Sequence, residues 1–128
     1  MTVLDTHVAV WWTQEPEHLS EPARRAIDNA DRLLLPAIVF WEVALLVRKK
    51  RLRLKRDQSV VEWAEQVLTI PRVMSVPLTH ELAIEADGLS MHSDPADRFI
   101  AATSLRYHAK LVTKDTLLSD LDWLATVW

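Results

Sequence analysis

The sequence predicts an α/β fold with a mostly parallel central sheet and helices on both faces. Short apolar runs that suit buried strands alternate along the 128 residues with longer segments that suit helices. Two of the apolar runs are followed by an acid: Asp5 comes directly after Val3-Leu4, and Asp115 follows soon after Leu111-Val112. Because strand ends and the next helix starts share one edge of such a sheet, the two acids mark that edge as a ligand site.

Five apolar runs are short enough to be strands, and each lies between segments of helical character. The first and fourth are expected at the centre of the sheet, which places Asp5 and Asp115 side by side. No repeat, low-complexity tract or linker interrupts the chain, so residues 1–128 are interpreted as one domain. The predicted strands are 2–5, 32–35, 73–76, 111–113 and 125–128.

Six helices are predicted between these strands. Their starts carry capping side chains, most clearly Ser20 before Glu21-Pro22 and Asp94 before Pro95. The third helix is apolar nearly all round and is therefore expected to be buried. The predicted helices are 6–14, 20–30, 37–49, 59–68 (with Asp57 or Ser59 as the cap), 79–88 and 94–108.

Composition excludes several kinds of site. A single Gly rules out glycine-rich phosphate loops, and the absence of Cys rules out disulfides, thiolate zinc sites and a cysteine nucleophile. The absence of Cys suits a reducing compartment, and no basic stretch precedes an apolar one at the start, so a cytoplasmic location is expected. The longest apolar stretch, 33–47, is too short to span a bilayer, so no membrane association is expected.

One dense basic segment contrasts with a net charge of −3. Seven of the 15 Lys and Arg residues fall within 48–56. Such clustering can attract nucleic-acid phosphates even when the whole chain is acidic, although cations also suit the end of a helix, where the helix dipole is negative. The segment is predicted to bind nucleic acid through Lys49, Lys50, Arg51 and Arg53.

Two further acids are hard to explain by folding alone. Glu42 is the only charge between Leu33 and Val47, and a lone buried charge is costly unless a cation pairs with it. Asp97 lies in the first turn of a helix, where the helix dipole also favours an acid. Asp94, directly before Pro95, is interpreted as a helix cap.

Four carboxylates at one edge of a sheet would repel one another. Two of them about 5 Å apart repel by roughly 3 kcal/mol at an effective dielectric of ~20. A bound divalent cation replaces this repulsion with attraction. Mg²⁺ or Mn²⁺ suits carboxylate oxygens, whereas zinc prefers His or Cys. Thr113 lies two residues before Asp115 in an extended segment, so its hydroxyl is expected to point into the same site.

These segments together resemble the PIN-domain nucleases, and most closely the VapC toxins of type II toxin–antitoxin systems. The resemblance covers the whole chain, because the short motifs occur in the order and at the spacing of that family. The segments that carry it are Leu4-Asp5-Thr6-His7, Glu42 in its apolar helix, Asp94-Pro95-Ala96-Asp97-Arg98-Phe99-Ile100-Ala101-Ala102, and Thr113-Lys114-Asp115.

The resemblance implies a set of site residues and an activity. Asp5, Glu42, Asp97 and Asp115 match the metal-binding and catalytic acids, with Thr6, Thr113 and Asp94 as supporting residues. It also implies a Mg²⁺- or Mn²⁺-dependent endoribonuclease, in which metal-activated water attacks the RNA phosphodiester. A homodimer and a cognate antitoxin that occupies the active-site groove are implied as well.

Two other classes of protein remain as alternatives. A receiver domain or a haloacid-dehalogenase-like phosphatase also places carboxylates and Mg²⁺ at strand ends. Such a phosphatase needs an Asp two residues after Asp5, where His7 stands, and a receiver needs a further Asp after a middle strand, which 73–77 does not supply. A non-catalytic binding module would hold a structural ion and cut nothing.

The aromatic residues and histidines carry less information. Trp63 and Trp123 are predicted to lie in the core. Core packing is also the favoured interpretation of Trp11, Trp12 and Trp41, with a partner groove or a base-stacking surface as the alternative. His7 and His92 are expected near the site, without a catalytic role.

Overall fold

A computed structural model describes all of residues 1–128 and contains one five-stranded sheet. Every strand pair is parallel, and the strand order is β3-β2-β1-β4-β5. The predicted α/β fold is therefore confirmed, with a sheet that is parallel throughout. The strands are β1 (Thr2–Leu4), β2 (Leu33–Pro36), β3 (Val73–Val76), β4 (Lys110–Val112) and β5 (Thr126–Val127).

Seven helices connect the strands, and capping side chains begin most of them. Ser20, Ser59 and Thr79 each accept a hydrogen bond from a backbone N–H of the first turn that follows. Two 3-10 turns, Pro16–His18 and Lys55–Asp57, and the short last helix were not predicted. The helices are α1 (Thr6–Gln14), α2 (Glu21–Asn29), α3 (Ala37–Arg48), α4 (Val60–Leu68), α5 (His80–Asp87), α6 (Pro95–Arg106) and α7 (Thr116–Ser119).

The strand order changes direction between β1 and β4. The chain steps from β1 to β2 to β3 in one direction and then crosses back to β4 and β5. Because crossovers between parallel strands are right-handed, this change of direction puts helices on both faces of the sheet. Helix α3 contacts α1, α4 and α6. The loops that leave β1 and β4 diverge, which opens a crevice at the carboxyl ends of these neighbouring strands. The predicted adjacency of the first and fourth strands is confirmed.

The core lies on both faces of the central strands. Val3, Leu4 and the leucines of β2 are wholly inaccessible, as are Leu111 and Val112 of β4. Trp63 of α4 is 1% exposed, so its predicted place in the core is confirmed. Burial on this scale, at roughly 25 cal/mol per Å² of apolar surface, fixes the strand ends from which the acids project.

Two predictions about apolar residues were wrong. Only Val39 and Val43 are buried on α3, and Trp41 is 57% exposed, so the helix is half-buried and Trp41 is not a core residue. The helix packs against its neighbours along one side, and its outer side is apolar without being covered. Trp123, expected in the core, is 37% exposed in the turn after α7. No helix is long and apolar enough to cross a membrane.

Candidate active site

A cleft of about 440 Å³ lies at the crevice beyond β1 and β4, and it receives all four predicted acids. Each acid comes from a different part of the chain: the turn after β1, the middle of α3, the first turn of α6 and the loop after β4. The cleft is lined by Asp5, Thr6, His7, Val8, Trp11, Glu42, Asp94, Asp97, Lys114 and Asp115.

Asp5 is the most buried of the acids and is held on both carboxylate oxygens. The Thr6 N–H donates to Oδ1 at 2.7 Å, and the Thr113 hydroxyl donates to Oδ2 at 2.6 Å. The Asp115 N–H donates to that hydroxyl at 3.0 Å, so Thr113 links the two acids. Burial raises the pKa of Asp5 although both hydrogen bonds oppose the shift.

Glu42 projects from α3 into the same cleft. Its carboxylate accepts a hydrogen bond from the hydroxyl of Thr6, the residue that follows Asp5. Burial is the main cause that raises the pKa of Glu42 to about 7, and the charges of Asp5 and Asp97 add to it. No cation pairs with this carboxylate, so the interpretation of Glu42 as half of a structural ion pair is wrong.

Asp97 lies in the first turn of α6. Its N–H donates to Asp94 Oδ1 at 3.2 Å, so Asp94 caps the helix. His92 Nε2 lies 2.7 Å from Asp97 Oδ2. Burial raises the pKa of Asp97 to about 6 against the opposing effect of the His92 hydrogen bond, and the neighbouring charges of Asp94 and Asp5 raise it further.

Asp115 is less buried than Asp5. It caps α7, because its Oδ1 accepts from the Leu117 N–H at 2.8 Å. The other carboxylate oxygen accepts no hydrogen bond, and the residue lines the cleft. The side chain is half-buried, whereas Asp5 on the neighbouring strand end is buried.

The four carboxylates share a cleft but are not tightly clustered. No three of them bring one oxygen each within 4.8 Å of the other two. Glu15, Glu17 and His18 do meet that distance, on the turn after α1. We assign no site to that group, because its side chains face solvent and His18 Nε2 already lies 2.7 Å from Glu15 Oε2.

Some residues of the cleft were not anticipated from the sequence. Lys114 lines the cleft together with Trp11. The only feature of the sequence that pointed to Lys114 was its position between Thr113 and Asp115, which were both predicted to face the site. His92, which was expected near the site, contacts Asp97 because Arg98 organises the preceding loop. The Arg98 guanidinium donates to the backbone oxygens of Ala86, Asp87, Leu89, Met91 and His92.

The basic segment does not line the cleft. It follows the far end of α3, and Lys49 is seven residues after Glu42, which corresponds to about 10 Å along a helix axis. A separate groove of about 500 Å³ runs beside it, lined by Val47, Lys50, Arg51, Leu52, Arg53, Leu54, Asp57 and Gln58. Arg53 also donates twice to Asp57 Oδ1, so its charge is partly neutralised.

Comparison with known proteins assigns the family. A family model described as the PIN domain matches residues 2–124. The chain belongs to the PIN domain family. A relative from Mycobacterium tuberculosis (strain ATCC 25618 / H37Rv), Ribonuclease VapC22, is 41% identical over 118 residues, which cover 91% of this chain and 88% of the relative.

Solved structures share the PIN domain fold at lower identity. VapBC2 from Rickettsia felis, bound to a DNA fragment from its promoter, superposes with a TM-score of 0.67 at 14% identity, over 98% of this chain and 96% of that one. A toxin–antitoxin complex from Klebsiella pneumoniae gives 0.62 at 15% identity, over 91% and 88%. At these identities the likeness supports the fold of this PIN domain and nothing finer.

Proposed function

We propose that this protein is an endoribonuclease that depends on Mg²⁺ or Mn²⁺ and acts as the toxin of a toxin–antitoxin pair. The observation that carries the proposal is the cleft of a PIN domain in which Asp5, Glu42, Asp97 and Asp115 converge from four parts of the chain. The 41% identical relative is named a ribonuclease, and similar structures are toxin–antitoxin complexes.

The chemistry of the donor set fits a hard divalent cation. The cleft offers carboxylate and hydroxyl oxygens and no thiolate, which suits Mg²⁺ or Mn²⁺. The pKa values of Asp5, Glu42 and Asp97 are all raised, which means that the folded protein disfavours their ionised forms. A divalent ion would offset that cost, and the four acids are the residues that would hold it.

The residues around the acids would set their orientation. Thr113 and the Thr6 N–H hold both oxygens of Asp5, the Thr6 hydroxyl holds one oxygen of Glu42, and His92 holds one oxygen of Asp97. Partners of this kind keep metal ligands in place in other metalloenzymes. When bound, a divalent ion lowers the pKa of water for attack on phosphorus and neutralises charge that develops on the phosphate oxygens.

The basic segment is proposed to bind RNA outside the cleft. Lys49, Lys50 and Arg51 are exposed and form no ion pair, whereas Arg53 shares its charge with Asp57. A strand whose scissile phosphate lies among the acids would extend along α3 toward this segment. Its positive charge would offset the repulsion between the acidic cleft and the RNA.

The partner of the pair is proposed to be a cognate antitoxin that binds over the cleft. Trp41 is 57% exposed on α3, the helix that carries Glu42, and exposed tryptophans are frequent anchors of protein interfaces. We also propose that residues 1–128 act as one nuclease domain and that two copies form a homodimer, as in the family that the chain resembles. Light scattering of the purified chain tests the second point.

Cleavage of a labelled RNA with and without chelator tests the central proposal. Activity should require added Mg²⁺ or Mn²⁺, disappear in excess EDTA and return when the ion is restored. A protein with Asp5→Asn, purified in the same way, controls for contaminating nucleases. Cleavage that persists in EDTA, or equal cleavage by the variant, would contradict the proposal. Metal binding without any cleavage would favour the non-catalytic binding module.

A further inference from the structure

Lys114 occupies an unusual position at the rim of the cleft. Its Nζ lies 5.9 Å from the ring centroid of Trp11 and 5.8 Å from that of Trp128. It is the only Lys or Arg among the ten residues that line the cleft. None of the six ion pairs in the structure involves it, although Asp115 is its neighbour in sequence.

The fold brings the two tryptophans together beside Lys114 from opposite ends of the chain. Val112 pairs with Val127, and the Thr113 N–H donates to the Val127 oxygen at 3.1 Å, so Trp128 leaves β5 beside the loop that follows β4. Trp11 comes from the last turns of α1, and its ring centroid lies 5.7 Å from that of Trp128. The lysine is thus held by parts of the chain that meet only in the folded sheet.

Two indole rings hold a lysine in a different way than a carboxylate partner would. Cation–π contact attracts the ammonium and restricts the side chain, but it occupies none of the N–H donors in a directed hydrogen bond. Lys114 is exposed, so those donors remain available to an anion. A lysine whose role was to neutralise the acids would pair with one of them, and this one does not.

An RNA strand that enters the cleft brings its own negative charges. Phosphates are repelled by four carboxylates unless a nearby cation compensates, and the basic segment lies at the far end of α3. Lys114 is the only Lys or Arg that lines the cleft beside the carboxylates. Its position at the rim, next to Asp115, suits a phosphate adjacent to the one that is cut.

We propose that Lys114, held against the rings of both Trp11 and Trp128, binds a backbone phosphate of the RNA and positions the strand over the four acids. The two tryptophans act through Lys114, as positioning residues that keep its ammonium at the rim. The inference rests on the proposed endoribonuclease function and adds the place where the substrate strand is held.

Steady-state cleavage of a short single-stranded RNA by Lys114→Gln tests the contact, with Lys110→Gln as the matched control. Lys110 begins the same strand, β4, and therefore lies at the opposite edge of the sheet.

For Lys114→Gln we expect a KM roughly tenfold higher than that of the parent and a kcat within about threefold of it. The slope of log(kcat/KM) against log[KCl] should become flatter by about 0.7, the value for one phosphate of a single strand. Lys110→Gln should match the parent, and Lys114→Arg should recover most of the loss.

Trp128→Leu tests whether the indoles act through the lysine. It should raise KM in the same direction, and the double variant with Lys114→Gln should be no worse than Lys114→Gln alone, because coupled residues are not additive. A KM equal to that of the parent and an unchanged salt slope in Lys114→Gln would overturn the inference. The inference would also be overturned if Lys114→Gln bound Mn²⁺ or the antitoxin more weakly than the parent but bound RNA normally.

The inference and the proposed function fail in different ways. If the parent protein cuts RNA and Lys114→Gln behaves like it, only the phosphate contact is wrong. If the parent cuts no RNA, the proposed function is wrong, and fluorescence anisotropy of the labelled RNA in Mg²⁺ still decides the contact. In that assay Lys114→Gln must bind roughly tenfold more weakly than Lys110→Gln for the contact to stand.

Discussion

His92 Nε2 lies 2.7 Å from Asp97 Oδ2, and the two side chains form a half-buried pair at the edge of the acidic cleft. Arg98, the residue after Asp97, fixes the loop that carries His92 by donating to five backbone oxygens between Ala86 and His92. One turn of α6 therefore supplies both an acid of the cleft and the residue that organises its partner.

Replacing His92 should weaken the site without unfolding the protein. In His92→Ala, Asp97 loses the hydrogen bond that opposes the rise in its pKa, so its carboxylate ionises at higher pH and turns more freely. We expect Mn²⁺ affinity and kcat to fall by about 10- to 100-fold, as for other residues that hold metal ligands. Titration calorimetry with Mn²⁺ measures the first quantity. His7→Gln is the control, because His7 lines the cleft but packs against Trp11. Equal losses in both variants would contradict a specific role of His92.

The sequence was sufficient to predict the sheet and the place of the acids. Apolar runs determine buried strands, and acids directly after two of those runs must lie at the carboxyl edge of a parallel sheet. Asp5 and Asp115 follow from that rule alone, and β1 and β4 are neighbours as expected. Glu42 and Asp97 depended more on the resemblance, because a helix position does not by itself say which way a side chain points.

Contacts between distant parts of the chain could not be predicted. Trp11 and Trp128 meet because of the register between β4 and β5, which no local pattern encodes. The exposure of Trp41 was missed for a related reason. When a helix is apolar on every side, its periodicity gives no signal for which side is left uncovered.

Asp97→Asn should abolish cleavage and leave the fold intact. One acid fewer in the cleft weakens metal binding, and a loss of at least ~100-fold in cleavage rate is expected. Without metal, the same change removes a charge that its neighbours repel, so the melting temperature near pH 7.5 should rise by a few degrees. Asp28→Asn, on the exposed surface of α2, is the matched control for loss of one carboxylate. Normal cleavage by Asp97→Asn in Mg²⁺ would remove Asp97 from the site.

Stability without metal should fall as the pH rises. The pKa of Glu42 is raised from its ordinary 4.5 to about 7, and that of Asp97 from 3.8 to about 6. Between the ordinary and the raised values the folded state binds more protons than the unfolded chain, so the free energy of unfolding decreases with pH across that interval. This stabilising contribution is fully present below about pH 4 and is lost as the pH rises through about 6 for Asp97 and about 7 for Glu42.

Melting curves in EDTA measure this effect, with Glu42→Gln as the comparison. The parent should lose more stability than the variant between about pH 5 and about pH 7.5, because glutamine cannot ionise. Saturating Mn²⁺ should reverse the trend, since a ligand bound only by the folded state stabilises it and metal binding requires deprotonated carboxylates. Identical pH profiles for parent and variant would mean that Glu42 is not perturbed.

Removing the positive charges of the basic segment should weaken RNA binding much more than it lowers the turnover rate. The variant replaces Lys49, Lys50, Arg51 and Arg53 with Ser. Because Arg53 is paired with Asp57, three of the four charges are free to contact phosphates, and the slope of log K against log[salt] should become flatter by about 2. Turnover at saturating RNA should change little, since the segment lies outside the cleft and would position the strand.

A second basic surface provides the matched control for that variant. Arg25, Arg32 and Lys110 lie toward the opposite edge of the sheet, and their replacement with Ser removes three charges without touching the segment. Anisotropy of a labelled single-stranded RNA across a salt series measures RNA binding by both variants.

If both variants flatten the slope equally, the attraction is a property of overall charge. If neither does, the segment faces another partner, and weaker binding of an acidic antitoxin by the segment variant alone would identify it. Only a change confined to the segment variant supports an RNA path along α3 from the acidic cleft.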